Sequence, residues 1–170
     1  MNDKKKKFGK HIVTVSVNWK ENAKRYYVTA VCASTNEKVK DNIVFLKESF
    51  ERIIALNKFN MFTLLHNFNT NRIIGNAKIT GIEHDSSCGI FKAIANLIVV
   101  APMQFAQNIN KMGCAIAMNR IKGYKKGDKK YIESFDIVNM SLIDIGLSVD
   151  KYCIVKEILK DEDIDKRLES

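Results

Sequence analysis

The stretch CAIAMNRIKGYKKGDKKYIESFDIVNMSLIDIG, residues 114–146, reads as two strands around a turn. CAIAMNRIKGY (114–124) and KYIESFDIVNMSLIDIG (130–146) are rich in β-branched and aromatic residues, and KKGDK (125–129) between them is polar and holds a glycine. Outward from this hairpin the same pattern recurs. HIVTVSVNW (11–19) and RYYVTAVCA (25–33) flank the polar KENAK as a second hairpin. MFTLLH (61–66), RIIGNAKITGI (72–82) and IFKAIANLIVV (90–100) are strands, the last expected to be buried on both faces at its end. EHDSSCG (83–89) is a turn by composition, and KYCIVKEI (151–158) a final short strand.

Two helices interrupt the strands. IVFLKESFERIIALNKF (43–59) carries Phe50, Ile53, Ile54 and Phe59 on one face and charges on the other. PMQFAQNINKM (102–112) opens on Pro102, with Gly113 expected in the left-handed conformation that closes a helix. The expected fold is α+β and mostly β: a closed or nearly closed β-barrel of about seven strands with two or three packed helices. A basic arm at 1–10, one domain at 11–158 and a charged tail at 159–170 complete the reading.

The 170 residues suit one core, and 46% hydrophobic with 28% charged residues is an ordinary globular profile. The longest apolar run, LIVVAPM, is far too short to cross a bilayer as a helix, so no membrane partner is expected. The alternation behind KKKK argues against a secretion signal. Cys32, Cys88, Cys114 and Cys153 stand singly, without zinc-finger spacing, so neither a metal nor another cofactor is expected. They read as free thiols. A net charge of +9 favours an acidic partner. The excess gathers in the N-terminal lysines and in Lys122, Lys125, Lys126, Lys129 and Lys130. Apart from Tyr124 and Tyr131, aromatics are not interleaved with them as a single-strand binding platform needs.

Three places could carry chemistry. His66 ends an apolar run in LLHNFNTN, where it could be a base, a metal ligand or an ordinary hydrogen-bonded side chain. KMGCAIAMN (111–119) brings small residues out of a helix into a strand, which simple close packing also explains. DIVNMSLIDIG (136–146) sets Asp136, Asn139, Ser141 and Asp144 in a strand, as a wet edge would.

In their order these segments resemble the maturation (prohead) proteases of tailed phages, which share the herpesvirus assemblin fold. The resemblance covers roughly residues 25–150. It rests on LLHN, IIGNAKI, GIFKAIANL, a helix, GCAIAM and VNMSLIDIG. It implies that His66 stands at the catalytic base. GCAIAM lies over a G-x-S-I-G-like segment, Gly113 on the glycine and Ile116 on the isoleucine, so the nucleophile position is Ala115. NMSLID lies over an E-V-S-L-V-D-like segment, with Ser141 on the serine and Asn139 where an acid often stands. An alanine methyl has no lone pair and cannot attack a carbonyl. The adjacent Cys114 would face the other way along a strand.

What the resemblance implies is therefore a head-assembly protein, non-catalytic as written, with capsid and scaffold proteins as partners. A homo-oligomer and non-specific contact with packaged DNA are further expectations. The implied location is the virion, or the host cytoplasm during assembly. One alternative is a genuine serine-type endopeptidase of capsid and scaffold chains with its nucleophile replaced by alanine. Another is an unrelated basic β-barrel binding module.

Overall fold

A computed structural model describes residues 5–8, 11–14, 23–56, 61–65, 72–102 and 108–160; among these, the side chains of 5–14, 61–65, 72 and 102 are left aside. It is mostly β, with one α-helix among the described residues. The strands are β1 (Lys5–Phe8), β2 (His11–Thr14), β3 (Ala23–Ser34), β4 (Ile43–Phe45), β5 (Met61–Leu65), β6 (Arg72–Asp85), β7 (Ile90–Pro102), β8 (Met112–Lys126), β9 (Lys129–Asp144) and β10 (Val155–Lys160). Helix α1 is Lys47–Leu56.

Strands β1 and β2 pair with each other in a two-stranded sheet. The other eight form one sheet, running β10–β3–β7–β6–β5–β9. β9 is its organising strand. One edge pairs antiparallel with β8 along nearly its whole length. The other edge is shared by two short parallel partners, β4 against Lys130–Ile132 and β5 against Asn139–Leu142.

The β6–β7 and β8–β9 hairpins form as their alternation predicts. Gly127, at φ +65°, supplies the left-handed residue that the tight turn before Asp128 requires. Residues 15–22 of the expected 11–19/25–33 hairpin lie outside the described ones; among those described, β2 pairs β1, whereas β3 pairs β7 and β10. Ile43–Phe45, read as the first turn of a helix, is strand β4, and the helix starts at Lys47. Three β-branched or aromatic residues suit a strand once a partner strand arrives from far along the chain. Residues 103–107 of the expected second helix lie outside the described ones, and Gly113 lies inside β8 without a positive φ. Its missing side chain serves proximity instead, since a Cβ there would stand 3.0 Å from the Cys153 carbonyl oxygen.

The core gathers on the inner face of the sheet. Ala93, Ala95, Leu97, Val99 and Ala101 of β7 are buried, while Ile98 and Val100 on the alternate positions are 44% and 45% exposed. This end of β7 is covered on one face only, contrary to the expectation of burial on both. Small residues at Ala30, Ala93 and Ala95 leave room for large ones from elsewhere, notably Phe50, Met140 and Leu142. Phe50 anchors α1 to the sheet with its ring 5.6 Å from Phe45, which meets Phe135 edge-on at 5.3 Å. Burying such a ring contributes about 2–3 kcal/mol.

The sheet is not closed into a barrel. β8 and β10 share no ladder. An isolated bridge between Gly113 and Ile154, with Cys114 N–H donating to the Cys153 carbonyl at 3.1 Å, links β8 to the segment before β10.

Candidate functional site

Register decides which of the expected site residues meet. Ala115 stands opposite Ser141 on β9, and Ser141 stands opposite Leu64 on β5. One line across three strands thus holds Leu64, Ser141 and Ala115. Asn139 is paired with Ala117 on one side and Phe62 on the other. His66 follows the end of β5 and lies outside the described residues, so its distance to position 115 does too. Paired residues in an antiparallel ladder share a face. Ala115 and Ser141 therefore share one, and Cys114 and Leu142 the other, both of the latter in the hydrophobic core. Ala115 is half-buried and Ser141 is buried.

The strand alternation expected for Cys114 is thus present, and its burial adds a chemical reason for inertness. Removal from water pushes the Cys114 thiol well above its ordinary value, and the nearby Cys32 adds to this. Cys153 is raised in the same way by burial first and then by Asp150, and Cys32 is pushed up to about 12 by burial. The thiolate is the nucleophile, so none of the three is poised to attack. With an aromatic disulfide reagent, only the exposed Cys88 should react quickly in the native protein, and all four cysteines after denaturation. A second fast thiol that disappears in Cys114→Ala would make Cys114 reactive after all.

These three buried thiols line a cavity of about 130 Å³, together with Ser34, Phe45 and Asp150. Sequence reading did not single out its polar side. The buried Asp150 carboxylate accepts from Ser34 Oγ, from Asn36 Nδ2 at 3.2 Å, from Tyr152 N at 3.1 Å and from Cys153 Sγ at 3.5 Å. Its own carbonyl accepts from Ser148 Oγ at 2.7 Å. Every donor is neutral, and together they fix the Asp150 side chain in place. Among the described residues no group of His, Cys, Asp and Glu is arranged to hold a metal ion.

Asp144, read from the sequence as one of the polar residues of a wet edge strand, is instead buried at the end of β9. It stands opposite Met112, and Oδ1 accepts from Gly146 N at 2.8 Å to cap the 3-10 turn Ile145–Leu147. Its other oxygen, Oδ2, is buried without a hydrogen-bond partner among the described residues. A separate hollow of about 290 Å³ lies between α1 and the bulged part of β8. There Arg120, held at φ +48°, pairs with Asp136 at 3.6 Å.

The expected basic residues flank the β8–β9 turn. Lys122, Lys125 and Lys126 are exposed, and Lys129 and Lys130 half-buried. No known family, curated protein or solved structure matches the chain.

Proposed function

We propose that the chain is a head-assembly protein of a tailed-phage-like particle, built on the plan of a maturation protease and lacking its nucleophile. The observation that carries the reading is the line Leu64–Ser141–Ala115. It sets the strand leading to His66 beside the strand of Asn139 and Ser141, and that strand beside the expected nucleophile position. Ala115 brings a methyl group to this place, and the nearest thiol is buried and protonated. Beyond the Gly113 bridge, β8 has no ladder partner on its outer edge among the described residues. An extended segment of a capsid or scaffold chain fits such an edge by adding a strand. On this reading the protein holds such segments without cutting them. The barrel that the protease plan calls for would form if β8 and β10 paired along the seam that the Gly113–Ile154 bridge begins.

The test is chemical. The chain as written should keep its intact mass on incubation. Ala115→Ser places a hydroxyl in the segment of the family's nucleophile and should give slow self-cleavage in the arm or in the tail beyond Glu157, abolished by adding His66→Ala. The gain should be partial, because an amide at Asn139 stabilises an imidazolium less than a carboxylate does. An unaltered mass for a folded Ala115→Ser protein would count against the protease plan. Cleavage by the unmodified chain would refute the loss of chemistry.

The alternative of an unrelated basic binding module is favoured by one observation, the exposed lysine-rich β8–β9 hairpin end.

A further inference from the structure

We propose that the outer part of the β8–β9 hairpin binds single-stranded nucleic acid, with lysines on its phosphates and an unpaired base on the face of Tyr124.

The first observation is electrostatic. The ladder sets Lys126 directly opposite Lys129 and Lys125 directly opposite Lys130. Like charges in opposed positions repel, so this end of the hairpin is held together against its own charge. Among the described residues, no ion pair engages Lys125, Lys126, Lys129 or Lys130. Asp128 in the turn is the one acid between them. An anionic chain laid along the Tyr124 face meets the Lys126–Lys129 pair directly, while the Lys125–Lys130 pair adds its attraction from the other face.

The second observation is aromatic and independent of charge. Tyr124 and Tyr131, one rung further in, are stacked with ring planes 11° apart and centroids at 5.2 Å. The Tyr131 hydroxyl donates to Glu37 at 2.9 Å, which ties down the inner ring. Lys130 N–H donates to the Asn42 carbonyl at 2.9 Å, and Ile132 is wholly buried, so the base of the ribbon is fixed to the body. Tyr124, 45% exposed, is thus an aromatic surface held in place from behind. By strand alternation Tyr124, Tyr131, Lys126 and Lys129 share one face, with Lys125 and Lys130 on the other. The interleaving of aromatics and lysines that the linear sequence shows only weakly is created by the pairing.

That combination selects the ligand. A glutamate-rich protein surface would satisfy the lysines and leave the ring unused. A duplex would offer phosphates while hiding its base faces. An unpaired strand uses both, because every base has a π-face to stack and every linkage a phosphate.

The test is binding of a fluorescent oligothymidylate to the full chain across a salt series, followed by anisotropy. The single strand should bind more tightly than a duplex of equal length. Two phosphate contacts, from Lys126 and Lys129, give a log–log salt slope of about −1.4. Replacing Lys125, Lys126, Lys129 and Lys130 by glutamine should remove most of that slope. Tyr124→Ala should weaken the single strand about tenfold and leave the slope alone, while Tyr124→Phe binds like the parent. Circular dichroism of each variant separates lost binding from lost folding. A slope unchanged by the glutamine variant would overturn the proposal, as would equal affinity for strand and duplex. Capture of polyglutamate with no capture of the oligonucleotide would reassign the surface to an acidic protein.

Discussion

Gly75→Ala should be among the most damaging single-methyl additions in the chain, costing at least about 3 kcal/mol. Gly75 lies in β6 opposite Val99 of β7, and a Cβ built there collides with the backbone carbonyl of Ile98. A flexible side chain could swing aside; a carbonyl held in a ladder cannot. Relief requires β7 to retreat from β6, which breaks the neighbouring Asn76–Ile98 rung. β6 also carries β5 on its other edge, with a register shift between Thr63 and Leu64 beside the Gly75 rung. The strain would therefore pass toward β5, where the proposed site begins. For a chain of this size the cost amounts to a melting temperature lower by about 10 °C. Gly81 in the same strand is the control. It has open space around its Cβ position and no positive φ, so Gly81→Ala should fall within about 1 kcal/mol of the parent, on the stabilising side if backbone entropy decides. Thermal melts of the two variants check this. Equal melting temperatures would mean that the close approach of β6 and β7 relaxes at little cost.

The contrast shows what could be read from the sequence and what could not. Alternating residues around a short glycine-bearing turn announce a hairpin, because everything that fixes it lies within one segment. The β6–β7 and β8–β9 pairs were legible for that reason. β4 was not. Ile43–Phe45 adjoins a strongly amphipathic helix, and three apolar residues match a helical face as well as a strand. Its true partner, Lys130–Ile132, comes from the far end of the chain. Gly113 misled in the same way. A glycine after a helical pattern suggests a left-handed cap, yet here it admits the Cys153 carbonyl, a neighbour that only the folded topology supplies. In the candidate site, the opposite facing of Ala115 and Cys114 followed from alternation alone. That Ser141 stands between positions 64 and 115 needed the parallel pairing of β5 with β9. The Asp150 knot joins residues 114 and 116 positions apart, and nothing local in the sequence around Ser34 or Asp150 pointed to it.

That knot should carry the other large effect, and Asp150→Ala should destabilise the chain by about 3–5 kcal/mol. Asp150 is 5% exposed, Ser34 2% and Asn36 5%, so donors deprived of the carboxylate have little access to water in its place. Truncation strands the Ser34 hydroxyl, one Asn36 amide hydrogen and the Tyr152 N–H together. Asp150→Asn keeps one carbonyl oxygen but puts a donor where Ser34 or Asn36 already donates, so its cost should be intermediate, about 1–2 kcal/mol. Urea midpoints measure both. The loss should also be local in a particular way. Asn36 N–H donates to Ser34 Oγ at 3.2 Å, and Asn36 Oδ1 accepts from Lys38 N at 3.0 Å. Through these bonds Asp150 ties the loop after β3 to the segment that precedes β10. That segment supplies the carbonyls of Cys153 and Ile154, which accept from Cys114 N and Val31 N at 3.1 and 2.9 Å. Loosening it frees the seam between β8 and β10 before the rest of the sheet. In Asp150→Asn, the amides of Cys114 and Val31 should therefore exchange hydrogen much faster, while amides within the β6–β7 ladder change only as global stability does. Uniform acceleration across the sheet would show that Asp150 supports the whole fold rather than the seam. An unaltered urea midpoint for Asp150→Ala would show that water takes the carboxylate's place without cost.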